Sequence, residues 1–177
     1  MHVRDATEDD LPAILAIINE ATANTTAVWS LAQTTLEARR TWWQDRTAAG
    51  YPVLVAEDHD GVLGFASYAQ FRPWDGYRHS VEHSVYVDQR ARWRGVGRAL
   101  LAALIERAAE RGMHVMVAGI EATNLASIRL HETLGFTRAG TLVEVGRKFD
   151  RWLDLLFMQR ILPDHDPAPE DSSENPT

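Results

Sequence analysis

The chain has 177 residues, of which 45% are apolar and 24% charged, with a formal net charge of −7. This length and composition are typical of a single globular domain. The absence of cysteine excludes disulfides, zinc–thiolate sites and thiol nucleophiles. No apolar run reaches membrane-span length, and an acidic chain without a basic face is not typical of nucleic-acid binding. We therefore expect a cytoplasmic protein with neither membrane nor nucleic-acid partners.

The negative charge is concentrated at the C-terminus. Residues 163–177 hold five acidic side chains and no Lys or Arg, so residues 1–162 carry 18 basic against 20 acidic residues, a net charge of −2. A segment rich in Pro, Ser and acids buries too little apolar surface to fold. We predict a domain over residues 1–162 and a disordered acidic tail over 163–177.

The front half alternates strand and helix patterns. His2–Ala6 predicts a strand, and the apolar spacing after Thr7 predicts a helix. A polar loop over residues 24–35 precedes a second helix that ends before Gly50. Two strands, Tyr51–Glu57 and Val62–Phe71, then form a hairpin.

The second half contains a strand at Val81–Val87, a helix over residues 96–111 and an apolar strand at Met113–Ile120. A helix that begins near Asn124 and one or two final strands follow. The order predicts an α/β fold with antiparallel pairing early and parallel pairing around the helix at residue 96.

A turn rich in arginine precedes that helix, in the stretch QRARWRGVGRALL, residues 89–101. Free amides and the dipole at a helix N-terminus bind anions, and glycines allow close backbone approach. The turn therefore suits a phosphate or pyrophosphate. It matches neither the P-loop nor the dinucleotide fingerprint, and alone it is equally compatible with a glycine-rich helix start that carries solvated arginines.

Two motifs carry a family resemblance. Residues Arg92 to Gly97 fit R-x-x-G-x-G, and residues Asn124 to Phe136, NLASIRLHETLGF, fit a second helix pattern at the expected distance. Both resemble the GCN5-related N-acetyltransferases (GNAT). The stretches NTTAVW, GYPVLVAED, VEHSVYV and VGRKFDRWLDLLFMQ are similar to the phosphinothricin and methionine sulfoximine acetyltransferase branch. One departure is the sequence ARWRGVG, where relatives often have Gln and Gly before the final G-x-G.

The resemblance implies a single-domain GNAT fold, with a mixed, mostly antiparallel central sheet flanked by helices, and acetyl-CoA as co-substrate without a metal. It implies that the coenzyme contacts main-chain groups of one strand, the arginine turn and the second motif. These residues are Val85, Tyr86, Val87, Arg92, Trp93, Arg94, Gly95, Val96, Gly97, Arg98, Asn124 and Ser127.

Acetylation of an amine requires a neutral amine, a polarised thioester carbonyl and stabilisation of the departing thiolate. The resemblance makes Glu82 the base, and it places His131 where a tyrosine often protonates the thiolate. His131 would act as general acid or assist deprotonation. The alternatives are a solvated strand glutamate and a packed helix histidine. For His83, on the face opposite Glu82, we expect a structural role.

The loop after residue 71 is the predicted acceptor site. Its candidate residues, together with Glu82, are Arg72, Trp74, Asp75, Gly76 and Tyr77. Arg72 can form a two-pronged ion pair with a carboxylate, and the rings of Trp74 and Tyr77 can pack against an aliphatic side chain. The branch has a stretch like that around Lys148 near the active site, often at a dimer boundary, so we expect a homodimer, with Trp152 and Asp154 in structural or dimer roles.

The leading hypothesis is acetyl transfer to the α-amino group of a small amino-acid analogue such as methionine sulfoximine, methionine sulfone or phosphinothricin. A second hypothesis changes the acceptor to a polyamine, an aminoglycoside or a protein N-terminus. A third makes the chain a non-catalytic acyl-CoA sensor.

Overall fold

The computed structural model describes residues 1–163, so nearly all of the predicted acidic tail lies outside the described residues. The helices are α1 (Leu11–Asn24), α2 (Leu36–Ala48), α3 (Val96–Glu110) and α4 (Leu125–Thr133). The strands are β1 (His2–Asp5), β2 (Val53–Asp58), β3 (Gly61–Gln70), β4 (Ser80–Val87), β5 (Val115–Glu121), β6 (Thr137–Lys148) and β7 (Arg151–Ile161). The predicted order is confirmed, and the final segment is two strands, of which β6 begins earlier than expected.

The strands form one seven-stranded sheet in the order β1-β2-β3-β4-β5-β7-β6. All neighbours are antiparallel except β4 and β5, which are parallel and are joined through α3. The predicted mixed, mostly antiparallel sheet is therefore confirmed. Because a parallel pair needs a crossover connection, the arginine turn lies at the carboxyl end of β4, where the crossover begins.

Each face of the sheet has its own apolar core. One core packs α3 and α4 against residues such as Leu54, Ala66 and Met116. The other packs α1 and part of α2 against Val53, Val55 and Phe65. Adjacent residues of β2 and β3 thus enter different cores, as expected of strands covered on both faces. No helix of the described chain is long and apolar enough to cross a membrane.

The parallel pair β4–β5 opens after three residue pairs. Ser80, Val81 and Glu82 of β4 pair with Val115, Met116 and Val117 of β5, and no pairing continues beyond. Beyond these pairs the two strands diverge over residues 83–87 of β4 and 118–121 of β5. The main-chain groups that each strand turns towards the other therefore have no strand partner on that side. We call this opening the fork, and Glu82 lies at its base.

Candidate active site

A cavity of about 480 Å³ fills the fork and reaches the N-terminus of α3. We call it the fork cavity. It brings together the predicted cofactor residues from three separate segments of the chain. These are Val85, Tyr86, Val87, Arg92, Trp93, Gly95, Val96, Gly97, Arg98, Asn124 and Ser127, joined by the predicted catalytic residue His131.

The α3 end of the cavity is open backbone. Gly95 caps α3 in a left-handed conformation, with φ of +80°, which favours glycine. A Cβ atom at Gly97 would lie 3.3 Å from Leu130 Cδ2 and 3.5 Å from Val87 Cγ2. The site therefore leaves the first amides of α3 uncovered, as binding of a pyrophosphate at a helix N-terminus requires.

The arginines of the turn differ in their partners. Arg92 pairs with Glu20 at 3.0 Å, and Arg94 pairs with Asp58 at 2.9 Å. Arg98 has no ion pair with any residue of the described chain. Arg94 does not line the cavity, because its guanidinium turns to the β2–β3 hairpin. Coenzyme binding by Arg94 therefore stays a prediction, and at the cavity itself Arg98 and the helix amides supply the positive charge that has no acidic partner.

Trp93 lies at the rim of the cavity. Its side chain is 90% exposed, and its backbone has φ of 66°, which is uncommon for a bulky residue. An exposed indole held in a strained turn beside a helix N-terminus offers a flat apolar surface to a bound ligand.

Asn124 and Ser127 belong to the first turn of α4. Asn124 Oδ1 accepts a hydrogen bond from the Ser127 main-chain N–H at 3.1 Å, so the carboxamide caps the helix. Asn124 also lines the cavity, and its Nδ2 group has no hydrogen-bond partner among the described residues. The Ser127 carbonyl in turn accepts a 2.7 Å hydrogen bond from His131 Nδ1.

His131 and His83 form a buried pair of rings. Their Nε2 atoms lie 3.1 Å apart, with the rings stacked. Because the Ser127 carbonyl can only accept, His131 Nδ1 carries the proton and His131 Nε2 accepts from His83. In this arrangement His83 Nδ1 carries no proton, and it is buried without a hydrogen-bond partner. Burial lowers the pKa of His131, and burial together with His131 lowers the pKa of His83 to about 3.

This geometry changes both histidine predictions. His83 does lie on the face opposite Glu82, but that face is the cavity face, so His83 lines the site instead of only packing. Neutral His131 presents an acceptor at Nε2, so a general-acid role needs a proton that reaches it from His83. The sequence did not indicate His83 as a site residue, because strand alternation predicts the face on which a side chain lies but not whether that face borders a cavity.

Glu82 lies on the other face of the sheet from the histidine pair. Its Oε1 atom would lie 3.2 Å from a Cβ atom at Gly119, beside Leu155 and Phe157. Burial raises the pKa of the Glu82 carboxyl, and the nearby Arg72 charge lowers it. Glu82 does not line the fork cavity. It occupies the base of the fork, where an acceptor on its own face of the sheet could meet a thioester in the cavity.

The predicted acceptor loop follows β3, whose Ala69 pairs with Glu82, and its Arg72 lies near enough to lower the pKa of the Glu82 carboxyl. Its five candidates, Arg72, Trp74, Asp75, Gly76 and Tyr77, are all exposed. Trp74 and Tyr77 have ring centroids 6.3 Å apart, and Tyr77 also packs edge-on against Phe71 at 5.7 Å. A 3₁₀ turn at Asp75–Tyr77 holds the aromatic cluster together. The loop thus brings one cation and an aromatic wall to the face that carries Glu82.

The segment after α1 is fixed by Lys148, the only lysine of the chain. Its Nζ atom donates to the main-chain carbonyls of Thr22, Thr25 and Val28 at 2.5–2.8 Å. Trp29 packs where a side chain at Gly146 would clash. Sequence spacing could not predict this contact, which joins residues more than 110 positions apart. Asp154 accepts from the Glu144 amide at 2.7 Å, and Trp152 is 60% exposed.

Known proteins resemble this chain over nearly its whole length. The family profile for the acetyltransferase (GNAT) domain matches residues 3–157. The chain belongs to the GNAT family. It is 55% identical over 158 residues to an L-methionine sulfoximine/L-methionine sulfone acetyltransferase of Pseudomonas aeruginosa, covering 89% of this chain and 92% of that one. It is 40% identical to a phosphinothricin N-acetyltransferase of Alcaligenes faecalis, covering 90% and 82%.

Solved GNAT structures share the fold. The crystal structure of a ribosomal-protein-alanine N-acetyltransferase from Brucella melitensis has a TM-score of 0.90 at 57% identity, covering 92% of this chain and all of that one. The yncA acetyltransferase of Salmonella typhimurium with its cofactor acetyl-CoA has a TM-score of 0.91 at 47% identity, covering 97% and 98%. This GNAT chain is therefore an acyltransferase with acetyl-CoA as co-substrate, and the sensor hypothesis is set aside.

Proposed function

We propose that the protein transfers the acetyl group of acetyl-CoA directly to the α-amino group of a small amino-acid analogue of the methionine sulfoximine, methionine sulfone or phosphinothricin type. The relatives named above act on these compounds. The observation that carries the proposal is the position of Glu82. A half-buried carboxylate at the base of the fork lies near the Arg72 cation, on the sheet face opposite the histidine pair and next to the fork cavity.

In this proposal different residues bind the coenzyme, deprotonate the amine and hold the acceptor. The first amides of α3 and Arg98 hold the pyrophosphate, and free main-chain groups of β4 in the fork polarise the thioester carbonyl. Glu82 accepts a proton from the acceptor's ammonium group, directly or through a water molecule, so that a neutral amine attacks. Arg72 pairs with the acceptor's carboxylate. The raised pKa of Glu82 makes it a better proton acceptor than an exposed glutamate.

The test is release of free thiol from acetyl-CoA with a panel of amines: methionine sulfone, methionine sulfoximine, phosphinothricin, spermidine, an aminoglycoside and a peptide with an N-terminal alanine. We expect the three amino-acid analogues to have the highest kcat/KM values. Turnover confined to the other amines would overturn the proposal. The peptide represents the second candidate, which the description of the Brucella melitensis structure favours.

We also propose that the protein forms a homodimer through the β6–β7 hairpin. β6 is an edge strand of the sheet. Several large apolar residues of the hairpin are exposed, namely Leu142, Val143, Val145, Phe149 and Trp152. An unpaired edge with an apolar surface is a natural place for pairing with a second copy. Sedimentation equilibrium should give twice the chain mass, and Val143→Glu should give a monomer. A wild-type chain that is monomeric at micromolar concentration would contradict the dimer.

A further inference from the structure

A second, smaller cavity of about 230 Å³ lies on the face of the sheet that carries Glu82. It is enclosed by α2, by the segment after α1 and by β3 and β4. Its lining includes Arg39 and Arg46 together with the hydroxyl side chains of Ser30, Ser67, Ser84 and Tyr86. We call it the arginine cavity.

The two arginines of this cavity lack an acidic partner. Arg39 and Arg46 lie on either side of Trp42, at 4.5 and 5.7 Å from the centroid of its ring. Within residues 1–163 neither forms an ion pair, and the Nε atom of Arg39 is buried without a hydrogen-bond partner. By contrast, Arg40 of the same helix forms an ion pair with Glu8 at 2.7 Å. Two half-buried like charges repel each other, so a bound group with oxygen acceptors would relieve their repulsion.

The arginine cavity lies near the position that we propose for the acceptor. Both cavities touch Ser84 and Tyr86 of β4. Side chains two residues apart on a strand share a face and lie roughly 6.5 Å apart. An acceptor whose amine lies at Glu82 would therefore extend its side chain past Ser84 towards the arginines. The carboxylate of the same acceptor would remain near Arg72, which lies beside Glu82.

We infer that the arginine cavity binds the oxygen-bearing end of the acceptor's side chain, a sulfone, sulfoximine or phosphinate group, through Arg39 and Arg46. The inference rests on the proposed function and adds to it the residues that select the acceptor. Guanidinium groups suit oxygens on a tetrahedral sulfur or phosphorus centre because their donors form a planar fork. The hydroxyls of Ser30, Ser84 and Tyr86 can donate to the remaining oxygens, whereas Ser67 Oγ already donates to the Pro52 carbonyl at 2.8 Å.

The test compares methionine sulfone with norleucine, which keeps the carboxylate and lacks the side-chain oxygens. Arg39→Gln should raise the KM for methionine sulfone about tenfold or more and change that for norleucine less than about twofold. Arg46→Gln provides a second variant in case Arg39→Gln does not fold. The matched control is Arg40→Gln, which removes an exposed arginine of the same helix outside the cavity. Equal effects on both acceptors, or the same effect from the control, would overturn the inference.

A direct binding measurement separates this inference from the proposed function. Methionine sulfone is titrated into the wild-type protein with CoA bound, and the indole N–H signals of Trp42 and Trp43 are followed by NMR. If the wild type acetylates only peptides, the proposed function fails. A shift of the Trp42 signal that Arg39→Gln abolishes would still support the cavity assignment. Absence of any shift in the wild type would overturn it.

Discussion

His131 Nε2 lies 3.1 Å from His83 Nε2, and the Ser127 carbonyl determines which ring supplies the shared proton. The pair links β4 to α4 across the fork cavity. Its rings are buried, and both pKa values lie below the ordinary value near 6.5. The pair is therefore neutral at physiological pH and sensitive to acid.

The first prediction follows from this pair and concerns stability. Below pH 6.5 the unfolded chain takes up protons at His83 that the folded chain, with a pKa of about 3, does not. Stability contributed by the neutral pair is therefore full above pH 6.5 and falls as pH drops towards 3, by up to about 1.4 kcal/mol per pH unit for one histidine. Urea unfolding at pH 7.5, 6 and 5 measures this fall.

The control for that prediction is His83→Phe, which removes one titrating ring. The free energy of unfolding of this variant should depend less on pH between 7 and 5 than that of the wild type. The range from pH 7 to pH 5 lies above the range in which the carboxyl groups of Asp10, Asp58 and Asp88 titrate. Their lowered pKa values affect the free energy of unfolding at more acidic pH. Equal slopes for the two proteins would show that the pair does not titrate on unfolding.

The second prediction concerns the base. Glu82→Gln keeps the size of the side chain and removes the proton acceptor, so kcat/KM near neutral pH should fall about 100-fold or more. The affinity for acetyl-CoA should stay nearly unchanged. The deficit should shrink as pH rises, because solvent then supplies the neutral amine. His131→Phe should show no such recovery. Wild-type activity of Glu82→Gln at pH 7 would place the base elsewhere.

The third prediction concerns the α3 end of the fork cavity. The Cβ atom of a valine at Gly97 would lie tightly against Leu130 Cδ2, at 3.3 Å, and in contact with Val87 Cγ2, at 3.5 Å, so its two methyl groups would overpack this end of the cavity. Overpacking of this size costs about 1–3 kcal/mol, so Gly97→Val should weaken acetyl-CoA binding roughly tenfold or more by calorimetry. Gly140→Ala is the control, because no atom lies within 4 Å of its Cβ position. Similar affinities of the two variants would remove Gly97 from the coenzyme site.

The fourth prediction concerns the acceptor's carboxylate. Arg72→Ala should raise the acceptor KM by the loss of one charged pair, about 1.5–3 kcal/mol, with little effect on acetyl-CoA. Arg78→Ala, in the same exposed loop, should have a smaller effect. The comparison acceptor is 3-(methylsulfonyl)propylamine, which lacks the carboxylate. If Arg72→Ala impairs that amine equally, Arg72 does not bind the carboxylate.

The sequence predicts the fold well because its signals are local. Periodic apolar residues, the hairpin turn at Gly61 and the helix end at Gly112 depend on neighbours in the chain, and each matches the structure. The arginine turn was predictable for the same reason, since a strand, two glycines and a helix start are contiguous. The ion pair of Arg94 with Asp58 was not predictable in this way, because Asp58 comes from a distant hairpin.

The parts of the site that the sequence did not predict depend on contacts between distant segments. The pairing of His83 with His131 joins residues 48 positions apart, and Arg39 gives no signal on a helix that contains several other arginines. The three carbonyl partners of Lys148 lie on α1 and the segment after it, more than 110 positions away in the chain. Spacing along the chain carries no information about such partners until the sheet order is known.

The fork has a kinetic consequence. The fork cavity, where we propose that acetyl-CoA binds, and the Glu82 carboxylate lie on opposite faces of one sheet and meet where β4 leaves β5. Each substrate therefore has its own entrance, and neither has to depart before the other arrives. We expect initial velocities to give intersecting double-reciprocal lines, with free CoA competing against acetyl-CoA but not against the amine. Parallel lines would instead require an acetylated enzyme, and this chain has no cysteine to carry the acetyl group as a thioester.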